Sequence, residues 1–239
     1  MTETPGYRPL YPQVYDIIVR RIADGVWRSG EALPSEHALG IELKVSQGTI
    51  RKVLDALTAE KILERRQGKG TFIAENTQAR ALFRFFKMTR LNGERVSPEC
   101  GEESVQLRPG TAVELAKLGL ATGDQVVAIQ RTRLIDGKPA IREHIAVPAA
   151  MFPGLEHKKP LPNTLYSLYQ TDYGINIVMA NEDLRADLAN DDDVHHLKVS
   201  AGTAILCVDR IALTIPDRKA EWRVSRIASN DLVYRISLN

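Results

Sequence analysis

The polar side chains of residues 46–60 form the part of the sequence best suited to chemistry. Gln47, Thr49, Arg51 and Lys52 fall on one side of a predicted helix. The other side carries aliphatic residues at helical spacing: Ile50, Val53, Leu54 and Leu57. Arginine and lysine bind phosphates or guanine, glutamine can bridge adenine, and threonine can bond to either. The pattern favours contact with a duplex nucleic acid, although an ordinary amphipathic surface helix shows the same periodicity.

The densest group of possible metal ligands lies at residues 190–196, where three aspartates precede two histidines. We interpret this group as the start of a helix, because Asn190 is a good N-cap and aspartates complement the helix dipole. The histidines are then expected just after that helix. This interpretation predicts no metal site here.

No catalytic constellation stands out elsewhere. Glu143 and His144 are adjacent on a predicted strand, so their side chains point to opposite faces and cannot act as a pair. Cys100 and Cys207 are too few and too far apart for a disulfide framework or a metal site. The sequence therefore predicts neither an enzyme nor a cofactor.

The composition fits two globular domains. The chain has 239 residues, of which 44% are hydrophobic and 26% are charged. No apolar run reaches the roughly 20 residues that cross a bilayer, and the N-terminus lacks the features of a signal peptide, so we expect a cytoplasmic protein. The net charge of +2 conceals seven basic against three acidic residues between Lys44 and Lys69. This local excess indicates a polyanionic partner for the N-terminal part.

Two helices are predicted before residue 46. The first follows Pro12 and has one aliphatic face: Val14, Ile17, Ile18 and Ile22. The second begins after Ser35, and its predicted buried side consists of Ala38, Leu39, Ile41 and Leu43. Only two residues then separate it from Ser46. So tight a connection predicts a helix-turn-helix, whose second helix enters the major groove.

A hairpin is predicted directly after the third helix. Two β-prone runs flank the Gly-rich turn at residues 67–70. Its arms and tip carry Arg65, Arg66 and Lys69, which favours a wing placed against phosphates or the minor groove over a plain surface hairpin.

These motifs resemble the DNA-binding domain of GntR-type bacterial transcription regulators over residues 11–73. The matching segments are residues 33–36 (LPSE), 45–57 and 64–72 (ERRQGKGTF). The resemblance implies DNA contacts at His37, Ser46, Gln47, Gly48, Thr49, Arg51 and Gly68. The basic residues Lys52, Arg65, Arg66 and Lys69 complete the predicted interface. His37 and Gln47 stand where the family usually has arginine, and glutamine prefers adenine, so we expect an altered operator.

The boundary between the domains is predicted at residues 75–80, which are polar and lack apolar periodicity. Phe83 and Phe85 then alternate with Arg84 and Lys87. This alternation could stack on bases, but we prefer an edge strand. The predicted organisation is a winged helix-turn-helix domain at 1–75, a linker and first strand at 76–88, and a second domain at 89–239.

The second domain contains an internal repeat. Residues 118–131 align with residues 197–210 at a constant offset of 79. Each copy reads as the end of a helix, a glycine turn, a buried strand and an arginine. Strands at 140–147 and 221–227 complete two similar halves of one mainly antiparallel sheet. Between the halves, Thr164 is a plausible cap for another helix.

The order of motifs from residue 91 to 238 resembles the UTRA ligand-sensing domain, which follows GntR-type domains in the HutC branch. The motifs are residues 131–139 (RTRLIDGKP), Pro148, 152–155 (FPGL), 165–166, 173–174 and 202–203. The resemblance implies an α+β, chorismate-lyase-like antiparallel sheet with flanking helices. It also implies an effector pocket of Arg131, Arg133, Glu143, Thr164, Tyr166 and Glu221. Residues 227 and 228 are not the aromatics common in the family, so the ligand's identity does not carry over.

Arg131 and Arg133 share one face of a predicted strand. Two guanidinium groups aimed into a pocket favour an anionic ligand, because each can bind carboxylate or phosphate bidentately. Either arginine alone could equally be a structural ion-pair residue.

The sequence therefore predicts a homodimeric repressor of a roughly palindromic operator, modulated by a small anionic effector. Two alternatives stay open: a lyase-like enzyme with an appended winged helix, and a winged helix used for protein contacts. Turnover of a bound aromatic acid would favour the first, and indifference to duplex DNA at low salt would favour the second.

Overall fold

The computed structural model describes residues 9–75, 85–214, 218–228 and 231–237. The chain divides into two units, Met1–Glu75 and Asn76–Asn239, each with its own core. Within the described ranges, no helix combines the length and the apolar character needed to cross a membrane.

The N-terminal unit has the predicted helix-turn-helix and hairpin. Its elements are α1 (Leu10–Ala23), α2 (Glu36–Glu42), α3 (Gln47–Ala59), β1 (Leu63–Arg66) and β2 (Gly70–Ile73). Ser46 caps α3 by accepting a 3.1 Å hydrogen bond from the backbone nitrogen of Thr49. The aliphatic face of α3 is buried as predicted: Ile50, Val53, Leu54 and Leu57. β1 and β2 pair antiparallel and form the wing.

The buried side of α2 differs from the prediction. Leu39 is fully buried, but Ala38 is exposed and Ile41 is 67% exposed. Gly40 is buried instead, and its backbone lies so close to Val45 that an added β-carbon would be 3.1 Å from the carbonyl oxygen of Val45. The prediction for Ala38 and Ile41 was wrong, because at about 100° per residue these two lie on the side of α2 opposite Leu39 and Gly40.

The C-terminal unit is built around one large sheet. Its strands are β3 (Met88–Arg90), β4 (Glu99–Pro109), β5 (Gln125–Ile135), β6 (Lys138–Pro148), β7 (Ile177–Leu188), β8 (Ala204–Thr214), β9 (Arg218–Ala228) and β10 (Leu232–Tyr234). Its helices are α4 (Ala112–Leu118), α5 (Leu165–Tyr173) and α6 (Asp191–Leu197). Six strands pair antiparallel in the order β4-β5-β6-β9-β8-β7, while β10 pairs with β3. The predicted α+β fold is confirmed.

Helices cover both faces of the six-stranded sheet. α5 lies on one face, where Leu165 shares a core with Val127 and Ile145. α4 lies on the other face, where Leu118 packs with Ala146. Successive strand residues point to opposite faces, so the odd-numbered residues of β5 and β6 face α5. Three predicted effector-binding residues therefore share the α5 face: Arg131, Arg133 and Glu143.

The internal repeat extends into the helices. α4 begins with a capping box between Thr111 and Glu114, and α6 begins with one between Asn190 and Asp193. The two boxes stand 79 residues apart, which is the offset found in the sequence. In each box the side chain of the first residue accepts a hydrogen bond from the backbone nitrogen of the fourth. The side chain of the fourth residue accepts one from the backbone nitrogen of the first.

The acid of each capping box also ties its helix to the sheet. Glu114 accepts hydrogen bonds from Arg108 at 2.7 and 2.8 Å and contacts His144 at 2.9 Å. Asp193 accepts from Arg142 at 3.0 Å and from Arg226 at 2.8 Å. His144 therefore lies on the α4 face and Glu143 on the α5 face, which confirms their predicted separation.

Three local predictions are corrected. His195 and His196 lie in the last turn of α6, because the helix continues through them to Leu197. Thr164 precedes α5 as predicted, but its side chain makes no capping bond. Phe85 has helical backbone where an edge strand was predicted, and its ring is buried against Tyr166. Lys87 of that predicted strand has no regular secondary structure and directly precedes β3. Phe83 and Arg84 lie outside the described residues, as does most of the predicted linker.

Glu114 should make the stability of the C-terminal unit depend on pH. Burial alone would raise the pKa of Glu114, but the hydrogen bonds from Arg108, Thr111 and His144 lower it from 4.5 to about 2. A carboxyl whose pKa is depressed by folding stabilises the native state above its unfolded pKa and loses that contribution as the pH falls. Glu114→Gln should therefore flatten the loss of stability between about pH 4.5 and 2, as measured by urea unfolding. The exposed Glu102→Gln is the control, and equal pH profiles for both variants would contradict the prediction.

Candidate functional site

The predicted DNA-binding residues all belong to the N-terminal unit and most of them are exposed. The exposed ones are His37, Ser46, Gln47, Gly48, Arg51, Lys52, Arg65, Gly68 and Lys69, while Thr49 and Arg66 are half-buried. The hydroxyl groups of Ser46 and Thr49 lie 2.9 Å apart and bond to each other at the start of α3.

The carboxylate of Glu36, the first residue of α2, joins three parts of this surface. Its Oε2 accepts from Arg51 Nε and Nη2, both at 2.9 Å, and from Gln47 Nε2 at 3.3 Å. Its Oε1 accepts from Arg65 Nη2 at 3.3 Å. The hydrogen bond from Arg51 holds the pKa of Glu36 below its ordinary value. Sequence reasoning assigned no role to Glu36.

The two arginines of the wing differ in their availability. Arg65 is exposed and pairs with Glu36 and with Asp55 at 2.6 Å. Arg66 is bound within the wing, because its Nε donates to Glu64 at 2.7 Å and its guanidinium lies 4.2 Å from the ring centre of Phe72. Gly68 occupies the turn with φ of +69°, a conformation that side-chain-bearing residues rarely adopt.

A cavity of about 60 Å³ lies on the α5 face of the large sheet. Five of the six predicted effector-binding residues line it: Arg131, Arg133, Glu143, Thr164 and Tyr166. Its other wall is apolar and includes Met88, Ile141, Val208 and Ile227.

Glu143 is the centre of the polar wall. Its Oε2 accepts from Arg131 Nε at 2.6 Å and Arg133 Nη1 at 3.5 Å, and its Oε1 accepts from Arg223 Nη1 at 3.0 Å. Burial alone would raise the pKa of Glu143, but the three guanidinium groups hold it well below its ordinary value. Burial, together with the neighbouring Arg131, lowers the pKa of Arg133 to about 10.

Glu221 lies behind the cavity wall and does not line the cavity. Both of its oxygens are engaged, by the hydroxyl groups of Tyr166 and Tyr169 at 2.9 Å and by Arg223 at 2.9 and 3.0 Å. Burial, reinforced by Glu221, raises the pKa of Tyr166 to about 12. Glu221 therefore reaches the cavity through Tyr166 and Arg223, which line it.

Two buried polar atoms of the cavity wall have no hydrogen-bond partner in the described part of the chain. They are Nη1 of Arg131 and Oγ1 of Thr164. Buried polar atoms without a partner are rare, and each costs the desolvation of that group. Both groups can donate to an oxygen, so this wall is suited to a ligand with an anionic or carbonyl head.

Sequence reasoning missed two arginines of the cavity wall. Arg210, whose Nε donates to Glu182 at 2.5 Å, stands 79 residues after Arg131 in the internal repeat. That offset was the signal that could have identified it. Arg223 lies two residues after Glu221 on β9, so strand alternation placed both side chains on one face.

The family follows from comparison with known sequences. The UTRA domain family matches residues 96–232, which is more than half of the chain. The family described as bacterial regulatory proteins, gntR family, matches residues 10–73. The chain belongs to the GntR family, in its UTRA-containing branch. The predicted assignment is confirmed, and with it the class of DNA-binding transcription regulators.

Several relatives of this GntR-type regulator are named as repressors. The mannosyl-D-glycerate transport/metabolism system repressor MngR of Escherichia coli is 33% identical over 154 residues, which are 63% of each chain. A probable fructoselysine utilization operon transcriptional repressor of E. coli is 24% identical over 91% of this chain and 89% of that one. The histidine utilization repressor of Pseudomonas putida is 44% identical over 33% of this chain and 32% of that one.

Solved structures share the fold. The ligand-binding domain of a putative GntR-family regulator from Bordetella bronchiseptica has 29% identity and a TM-score of 0.59, over 65% of this chain and 98% of that one. PhnF from Mycobacterium smegmatis has 20% identity and a TM-score of 0.55, over 94% of this chain and 99% of that one. This regulator and those proteins therefore have the same architecture.

Removing the charge of Glu143 should destabilise the C-terminal unit strongly. Glu143→Gln removes the buried carboxylate paired with Arg131, Arg133 and Arg223, of which Arg223 also pairs with Glu221. Breaking a buried ion pair typically costs about 3–5 kcal/mol. The free energy of unfolding, measured by urea titration of the full chain, should fall by that order. Glu99→Gln, which removes an exposed carboxylate from β4, is the matched control. A loss no larger than that of the control would contradict the structural role of Glu143.

Proposed function

We propose that the chain is a homodimeric transcriptional repressor whose operator binding is modulated by a small anionic metabolite held in the cavity of the UTRA unit. The observation that carries the ligand-dependent part is the pair of unpartnered buried donors, Arg131 Nη1 and Thr164 Oγ1, in one cavity wall. The named repressors among its relatives support repression, as opposed to activation, as the mode of regulation. Binding to chromosomal DNA implies a place in the bacterial cytoplasm.

The DNA interface that we propose is the exposed side of α3 with the wing beside it. Gln47, Thr49, Arg51 and Lys52 would enter the major groove, and Arg65 and Lys69 would contact the backbone. Arg66 would support the wing, because its guanidinium is already bound to Glu64 and Phe72. A homodimer has two such surfaces related by two-fold symmetry, so it reads two half-sites of a roughly palindromic operator.

The effector that we propose has an anionic head and a compact apolar body. Glu143 already receives Arg131, Arg133 and Arg223, so the unpartnered donors are what remains for a ligand oxygen. The wall with Met88 and Ile227 favours a hydrocarbon surface over a row of hydroxyl groups. The names of the relatives concern mannosyl-D-glycerate, fructoselysine and histidine, and a metabolite is accordingly the class inferred for this chain.

A lyase-like enzyme is the less favoured alternative. General acid–base catalysis works best with groups whose pKa lies near the operating pH. The pKa of Glu143 is held far below that range by three arginines, and the pKa of Tyr166 is raised to about 12. These groups suit binding better than proton transfer, and the known relatives are transcription regulators.

Arg51 should carry much of the discrimination between operator and random DNA. A good bidentate arginine–guanine contact is worth about 1–3 kcal/mol, so Arg51→Ala should reduce the preference for the operator roughly 10-fold or more. Fluorescence anisotropy against duplex from immediately upstream of the gene and a scrambled duplex, at several salt concentrations, measures this preference. Arg20→Ala, which removes an exposed arginine from α1, is the matched control. Equal preference in wild type and Arg51→Ala would exclude Arg51 from base reading.

Thr164 should bind the effector without supporting the fold. Thr164→Val removes a buried hydroxyl that has no hydrogen-bond partner among the described residues, so the free protein should melt at the same temperature or slightly higher. Benzoate and octanoate should raise the melting temperature of the wild type, and Thr164→Val should reduce that rise. The exposed Thr122→Val is the control. Stabilisation by glucose 6-phosphate alone would contradict the proposal that the effector has an apolar body. Stabilisation by none of the three anions would contradict the proposed effector class.

A further inference from the structure

Glu36 contacts three of the side chains proposed to meet DNA: Gln47, Arg51 and Arg65. The partners of its carboxylate lie 11, 15 and 29 residues away, on α3 for Gln47 and Arg51 and on β1 for Arg65. Its side chain is only 18% exposed, whereas that of Arg51 is 57% exposed. Glu36 is thus positioned behind the reading surface and connects it to the start of α2.

The contact with Glu36 determines which edge of Arg51 is presented. Nε and Nη2 of Arg51 both point at Oε2 of Glu36 at 2.9 Å. A guanidinium group is planar, so the edge formed by Nη1 and the second hydrogen of Nη2 remains available. This end-on edge can donate two parallel hydrogen bonds to O6 and N7 of guanine. Glu36 also removes rotational freedom from a long side chain before any DNA is bound.

The same carboxylate determines the orientation of the Gln47 amide. An ionised carboxylate only accepts hydrogen bonds, so the amide group must direct its nitrogen towards Glu36, at 3.3 Å. Its oxygen is then the outward atom. An outward oxygen accepts from the amino groups of adenine or cytosine and offers nothing to guanine or thymine in the major groove.

The negative charge of Glu36 also opposes binding that relies on phosphates alone. It is shared by Arg51 and Arg65, which reduces the net positive charge that these residues present to the DNA backbone. Nonspecific affinity comes from phosphate neutralisation, so a carboxylate at this place weakens nonspecific binding more than base reading.

We propose that Glu36 is a specificity-determining residue of the DNA interface, which holds Arg51 and Gln47 in base-reading orientations and suppresses phosphate-only binding. This inference rests on the proposed function, because it needs α3 to enter the major groove. Glu36 acts through Arg51 and Gln47 and is therefore a positioning residue.

The test compares Glu36→Gln with Glu42→Gln in the full chain. Both substitutions remove one carboxylate from the same seven-residue helix, but Glu42 pairs with Arg21 and not with a predicted DNA-binding residue. Each protein selects ligands from a randomised duplex library. The affinities for the wild type's selected duplex, for single-base variants of it and for a scrambled duplex are then measured by anisotropy.

Glu36→Gln should bind the scrambled duplex about 3- to 10-fold more tightly and lose at least 10-fold in preference for the selected duplex. The single-base variants of the selected duplex should show where this preference is lost. The loss should be concentrated at the guanine read by Arg51 and at the adenine or cytosine read by Gln47. Glu42→Gln should reproduce the wild type in every measurement. Thermal melting of each variant accompanies the binding data.

Three results would overturn the inference. Unchanged preference in Glu36→Gln would show that Arg51 and Gln47 need no support. Equal weakening on all duplexes with a lower melting temperature would reduce Glu36 to a structural residue. Failure of the wild type to select any motif would contradict the proposed DNA interface itself, and the inference with it, and is distinguishable because it appears before any variant is tested.

Discussion

The ion pairs of Glu143 are the interaction on which the C-terminal unit depends. Strands β5, β6 and β9 bring Arg131, Arg133 and Arg223 to one carboxylate in the interior, where unpaired charges are not tolerated. Three guanidinium groups carry more donors than one carboxylate can accept. Nη1 of Arg131 has no hydrogen-bond partner among the described residues, and it leaves the cavity suited to a ligand that brings its own acceptor.

The N-terminal unit uses a carboxylate in a related way at its surface. Glu36 gathers two arginines and a glutamine, but these partners are partly exposed to water, where ion pairs are weak and exchangeable. The difference in burial corresponds to a difference in role. Glu143 fixes its arginines permanently, whereas Glu36 holds Arg51 and Arg65 in place and leaves their outer edges available to another partner.

Much of the fold could be predicted from the sequence because its signals are local. Helical periodicity identified the buried face of α3, and the 79-residue repeat identified the two halves of the sheet. The face of α2 was misassigned because Ala38 and Ile41 were grouped with Leu39, although helical spacing puts them on the opposite side. The role of Glu36 could not be predicted either, because its partners lie 11 to 29 residues away on other elements. The place of Arg210 in the cavity wall could have been predicted, because the repeat aligns it with Arg131.

Anion binding in the UTRA unit and operator binding by the winged helix must be energetically coupled if the anion is to modulate operator binding. Calorimetry can measure the affinity of the stabilising anion for the full chain with and without saturating operator duplex. We expect operator to change the anion's affinity at least 5-fold, and the anion to change operator affinity by the same factor, because coupling is reciprocal. Identical anion affinity in the presence and absence of operator would contradict this coupling.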